Sequence, residues 1–249
     1  MRWECVDLRN FYGARRGKMV RRMIRRRVRA MWPNTKNMTI LGLGYATPYL
    51  RNYMTDSNHV VAFMPGPQGA IPWPTLHSAA INHGGRETHS LVALTEEDVL
   101  PLPDASVDRL LMVHMLEHAS NGPALLREAW RVLKDDGKLL LVVPHRRSMW
   151  TRFDRTPFGI GHPYSYRELG ALLRKTLFTP LRREGALFIP PFRSKLSLSL
   201  ATIWENLAHK WFPKFSGVLV VEAGKEIYGG ELNMGTVRQR RAYAPVPLG

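Results

Sequence analysis

The chain has 249 residues, 45% hydrophobic and 22% charged, proportions that exclude disorder over most of its length. Its one cysteine, Cys5, excludes a disulfide framework and any cysteine-based zinc module, and points to a reducing compartment. Lys and Arg number 36 against 20 Asp and Glu, a formal +16 that suits an anionic partner: nucleic acid, an anionic membrane surface or an acidic protein.

The first residues include Glu4 and Asp7 and no apolar segment of a secretory signal. No apolar run, such as Leu139 to Pro144, comes near the roughly 20 residues that span a bilayer, so the expected compartment is the cytoplasm. Between Arg15 and Arg29 lie nine basic residues and no acid. Val20, Ile24, Val28 and Met31 follow at three- or four-residue spacing with Met23 beside them, which predicts a basic amphipathic helix ending at Trp32-Pro33-Asn34. Its apolar stripe either packs on the domain or joins its arginines in docking on nucleic acid or an anionic membrane through residues 15–29.

From Met38 onward short apolar runs alternate with helical patterns. Strands are predicted at Met38 to Leu43, His59 to Met64, Ser90 to Leu94 and Val107 to His114, with a helix opening at Pro48. Pro65 to Pro74 reads as a rigid loop in which Trp73 is a lid or an anchor. Asn121 caps a helix carrying Leu126, Ala129, Trp130 and Leu133, which stops at Asp135-Asp136-Gly137. Lys138 to Val143 reads as a central parallel strand, and Ser165 to Glu168 as a capping box. A strand near Ala186 to Ile189, a helix from about Leu196 to Trp211 and a strand from Val218 to Ala223 follow. The alternation predicts an α/β fold with a mainly parallel sheet: a helical arm over residues 1–36, a domain over 37–230 and a tail over 231–249.

The order of motifs is specific. A glycine-bearing turn, Ile40-Leu41-Gly42-Leu43-Gly44, is followed by Leu100-Pro101-Leu102-Pro103 and by Asp108 opening a strand. Leu116-Glu117-His118 follows that strand, and Arg131-Val132-Leu133-Lys134-Asp135-Asp136-Gly137 precedes the next. Over about residues 38 to 145 this resembles the class I S-adenosylmethionine-dependent methyltransferases of the type 11 group. Phe158 to Ser165 and Gly217 to Ala223 are similar to a bacterial subgroup of them. The resemblance implies a Rossmann-like fold, a seven-stranded sheet with helices on both faces and S-adenosylmethionine as cofactor. It places Gly42, Leu43, Gly44 and Tyr45 at the cofactor's methionine part, with His114 and Met115 beside them. Met64 and Gln68 fall at the ribose, and Asp98 and Val99 at the adenine, where Asp98 would receive the amino group. The chain departs from the family pattern twice. Gly42 stands where an acid is usual, and Phe63, Met64 and Pro65 stand where an Asp or Glu ends strand two.

His145 and Tyr164 are candidates to face a substrate, or else structural residues; no catalytic residue is indicated. The string from His114 to His118 has the H-x-x-E-H form of a zinc peptidase. It leaves a strand and meets Gly122-Pro123, so no metal site is expected. Trp204 and Trp211 read as a buried helical stripe. Two functions follow: a methyltransferase of unidentified acceptor, or a non-catalytic module of the same fold docking through its basic helix. For the first, Gly44→Val should abolish cofactor binding, and the fold should survive if the new methyls project into the open crevice.

Overall fold

The structure, a computed structural model, describes residues 3–74, 90–152, 156–188 and 216–226. Its apolar runs are strands buried on both sides. In β5 (Leu133–Pro144), Leu140 and Val142 join the core on one face of the sheet, while Leu139, Leu141 and Val143 join the core on the other. The remaining strands are β1 (Thr39–Gly44), β2 (His59–Pro65), β3 (Val92–Thr95), β4 (Val107–Val113), β6 (Phe178–Ala186) and β7 (Val218–Lys225). They form one seven-stranded sheet in the order β3-β2-β1-β4-β5-β7-β6. The first five run parallel, and β7 is antiparallel to both β5 and β6.

One face is covered by α1 (Cys5–Gly13), α2 (Arg15–Met31) and α3 (Thr47–Leu50), and the other by α4 (Gly122–Val132) and α5 (Tyr166–Lys175). The stripe of α2 (Val20, Met23, Ile24, Val28 and Met31) is buried in the same core as Ile40 and Val60. Just beyond α2, the Trp32 indole N–H donates to Glu222 Oε1 of β7 at 3.0 Å, with both residues buried. No helix among the described residues is long and apolar enough to cross a membrane.

The caps form as the sequence predicts. Asn121 Oδ1 accepts the Ala124 N–H at 3.1 Å, and Ser165 and Glu168 exchange bonds of 2.9 and 3.2 Å. Three elements differ from expectation. Helix α4 ends at Val132 because Leu133 already pairs with Val107 across a bulge, so β5 begins five residues before Lys138. The strand expected from Ala186 to Ile189 lies earlier, over β6, an edge strand whose exposed Arg182 and Arg183 hide its pattern. Helix α1 was not predicted, although Cys5, Leu8 and Tyr12, all buried, carry helical spacing. The helix expected from Leu196 to Trp211 and the tail over 231–249 lie outside the described residues.

Two local constraints position the carboxyl edge of the sheet. Asp108 accepts the Thr39 N–H at 2.8 Å and pairs with Lys134 at 2.8 Å, tying the start of β1 to β4 and β5. At the other end, Gly44 has φ of +70°, and a Cβ there would collide with the Val113 carbonyl oxygen and lie 2.9 Å from Met115 Cβ. Glycine is therefore demanded by the close approach of β1 to β4, and survival of the fold in Gly44→Val is not expected after all. Gly42 is a packing glycine too, since a Cβ there would sit 2.5 Å from Leu50 Cδ1 of α3.

Gly44→Ala should lower stability by about 2–4 kcal/mol, combining left-handed strain with overpacking; a urea midpoint equal to wild type would refute this. For Asp108, burial alone raises the carboxyl, but Lys134 and the Thr39 N–H outweigh it and hold the pKa below the usual value. A depressed folded pKa stabilises above the unfolded value near pH 4 and is lost as pH falls through the folded one. Asp108→Asn should therefore cost about 1 kcal/mol at pH 7, a gap that closes as urea melts are repeated toward pH 3.

Candidate functional site

The strand order reverses beside β1, with β2 on one side and β4 on the other, which opens a crevice at the carboxyl ends of these strands. The Tyr45 N–H closes its floor by donating to the Val113 carbonyl at 2.8 Å. His114 follows β4 at φ of +51°, a left-handed conformation unusual for a non-glycine residue. Its carbonyl accepts from Gln68 Nε2 at 3.2 Å, its Nδ1 lies 3.1 Å from Glu117 Oε1, and its Nε2 lies 2.8 Å from the Tyr12 hydroxyl. A carboxylate only accepts, so Nδ1–H donates to Glu117 and leaves Nε2 to accept the Tyr12 O–H. All four residues are at most 3% exposed. Burial, aided by Tyr49, Tyr45 and the Glu117 charge, pushes the Tyr12 phenol well above its usual range and keeps it a donor.

Helix α1 thus walls this end of the crevice. The Tyr12 ring stacks on Tyr45 with centroids 5.6 Å apart, and the Phe158 ring lies 5.2 Å from His114. The Cys5 thiol donates to the Gly69 carbonyl at 2.9 Å and lies 3.3 Å from Met64 Sδ. Burial raises that thiol to about 11, so it is no thiolate nucleophile. Tyr45, Met64, Gln68 and His114, expected from the resemblance to meet a cofactor, do converge here. The Leu43 and Met115 side chains instead join the core beneath α4, which leaves only their backbone at the crevice, while Gly42 packs against α3. Two buried acceptors, Gln68 Oε1 and Glu117 Oε2, have no hydrogen-bond partner among the described residues.

The other end is an open cleft of about 580 Å³ lined by Pro67, Glu96, Glu97, Asp98, Ser120 and Asn121. Asp98 lines it, and Val99 stands beside it, 59% exposed. Glu97 Oε2 accepts the Ser120 N–H at 2.8 Å across the cleft. The loop carrying these acids is fixed from α4. Glu128 Oε1 accepts the Leu100 N–H at 2.8 Å, while the Arg131 guanidinium donates to the carbonyls of Leu100 and Leu102 and to the carboxylates of Asp104 and Glu128. The sequence gives no sign of this positioning role, although Arg131 opens the motif before β5.

His145 follows β5, and the Tyr164 hydroxyl lies 3.9 Å from where a Cβ on Gly122 would stand, one residue past Asn121 of the cleft. His145 is buried with Nδ1 3.1 Å from the Ser216 carbonyl, and burial, aided by Arg147, holds its pKa below the usual value. Tyr164 bridges to it, is 9% exposed and packs edge-on against His162. Trp73 serves as a backbone anchor, its carbonyl accepting the Leu91 N–H at 2.7 Å. Leu116 to His118 form a single 3-10 turn, so His114 and His118 share no helix face. Among the described residues no group of three or more His, Cys, Asp or Glu is arranged to hold a metal ion.

Residues 42–141 match the family model described as a methyltransferase domain. A 72-residue stretch is 39% identical to a protein of Mycobacterium tuberculosis (strain H37Rv) named as a probable S-adenosylmethionine-dependent methyltransferase, covering 29% of this chain and 25% of that one. The chain therefore matches about a quarter of that relative's length. Among solved structures, an S-adenosylmethionine-dependent methyltransferase of Mesorhizobium loti aligns with a TM-score of 0.54 at 14% identity, covering 86% of this chain and all of the other. The Burkholderia thailandensis 1,6-didemethyltoxoflavin-N1-methyltransferase, solved with S-adenosylhomocysteine, aligns at 0.51 and 17% identity, covering 82% of this chain and 76% of its own. The chain is thus similar to a methyltransferase domain over its central strands, and it shares the fold of these methyltransferase neighbours.

Proposed function

We propose that the protein is a cytoplasmic S-adenosylmethionine-dependent methyltransferase. The observation that carries this reading is the hydrogen-bond polarity of the crevice. Gln68 Oε1 and Glu117 Oε2 are buried acceptors without donors among the described residues, and the adjoining cleft presents Glu96, Glu97 and Asp98. S-adenosylmethionine offers donors in its ammonium group, ribose hydroxyls and adenine amino group, so the residues present fit it. Gln68 would take a ribose hydroxyl where a carboxylate is usual, and Asp98 the adenine amino group. When bound, the cofactor supplies an electrophilic methyl group on a sulfonium. The chain's own part is to align the partners and exclude water, with Phe158 and Tyr12 closing the crevice. His114 Nε2, oriented by Glu117, is the site at which a proton can be held once Tyr12 moves aside.

One observation favours the second reading, an interaction module without catalysis. Tyr12 fills the methionine end, so binding there requires α1 to shift, and apparent affinity falls by the fraction of molecules open.

Calorimetric titration with S-adenosylhomocysteine separates the two. Wild type should bind, and Asp98→Asn should bind about tenfold more weakly through loss of a charge-assisted bond. Tyr12→Phe, which keeps the ring but frees His114, should bind about fivefold more tightly. A wild type that remains folded by circular dichroism yet binds nothing at millimolar ligand would leave the interaction module as the function.

A further inference from the structure

Helix α2 builds the core with one side and presents a row of cations on the other. Arg15, Lys18, Arg22 and Arg25 are exposed and stand three, four and three residues apart, so they share one face. Arg29 continues the row, turned toward Asp56 at 3.6 Å and over the Tyr53 ring at 5.4 Å. The row is about 21 Å long at 1.5 Å per residue. The first four have no ion-pair partner among the described residues, whereas Arg27 pairs with Glu184 and Arg29 with Asp56. From Asp7 to Asp56 the chain contains no acidic residue.

We infer that this face of α2 binds the phosphate backbone of a nucleic acid. A membrane-surface helix inserts its apolar stripe among lipid chains, but here that stripe is buried against the sheet and unavailable. What remains is a band of charge running lengthwise along the helix, with Arg26 exposed beside the row, and such a band can follow a line of phosphates. Arginine dominates the row, and its planar fork suits phosphate oxygens. The charge distribution also gives the bound strand a direction. The row starts three residues after Tyr12, beside the walled end of the crevice, whereas Glu96, Glu97 and Asp98 make the far cleft repulsive to phosphate.

The test is fluorescence anisotropy of a labelled 20-nucleotide single-stranded RNA between 50 and 200 mM salt, with sedimentation of phosphatidylglycerol-containing vesicles as the second arm. Wild type should bind the RNA with steep salt dependence and leave the vesicles in solution at 150 mM salt. The double variant Arg22→Gln, Arg25→Gln keeps good helix formers and should bind at least tenfold more weakly at 50 mM salt. Its log–log salt slope should be shallower by about 1.4, since each phosphate contact on a single strand contributes about 0.7. Equal affinity and slope in the variant, no RNA binding by wild type, or vesicle binding in place of RNA binding would each overturn the inference. S-adenosylhomocysteine titration of the same variant should match wild type. A wild type that fails that titration yet binds RNA through these arginines overturns the methyltransferase reading and leaves this one standing.

Discussion

At the end of β4 a non-glycine residue is held in a left-handed conformation, and four segments of the chain are needed to hold it. Gln68 fixes the His114 carbonyl, Glu117 one ring nitrogen and Tyr12 the other, while the Val113 carbonyl just before it takes the Tyr45 N–H. Strain of this kind costs of order 1–3 kcal/mol and persists only where the surroundings over-determine it. The elements that meet in this knot are the walls of the crevice: the ends of β1 and β4, the turn after β2 and helix α1. Any change that frees the His114 ring therefore loosens α1 and the crevice together.

The same knot explains how a crevice can lose two customary carboxylates and keep its polarity. Gly42 cannot be replaced by an acid without displacing Leu50, so tight packing of α3 and a carboxylate at that position are mutually exclusive. After β2 the acceptor role passes to Gln68, whose amide nitrogen is used on His114 and whose oxygen is left over. A neutral amide gives a weaker acceptor than a carboxylate. Besides Glu117, the acids near the crevice lie on the Glu96 to Asp98 loop, whose placement depends on Glu128 and Arg131.

Much of the fold was legible because its signals are local. Apolar runs bounded by turns, the Asn121 cap and the Ser165–Glu168 box each need only a few neighbouring residues to be recognised. What stayed hidden is non-local. The early start of β5 depends on Leu133 finding Val107, and β6 is an edge strand whose polar positions mask its alternation. Helix α1 is short and weakly amphipathic, and its burial comes from Tyr12 reaching a histidine 102 positions away. The site divides in the same way. The family order of motifs pointed to Tyr45, Met64, Gln68 and His114, which the fold brings together at the crevice. No spacing rule could have paired Tyr12 with them, or shown that His145 turns toward Ser216.

The placement of the lone cysteine has a practical corollary. Cys5, the first residue of α1, is buried and bonded to the Gly69 carbonyl, with its thiol raised to about 11. A thiol-directed dye can reach this sulfur only in molecules whose first helix has lifted from the sheet. With one cysteine in the chain, every labelling event reports the same motion. The protein thus carries its own clock for how often the crevice opens, readable in unmodified material and without knowing any ligand.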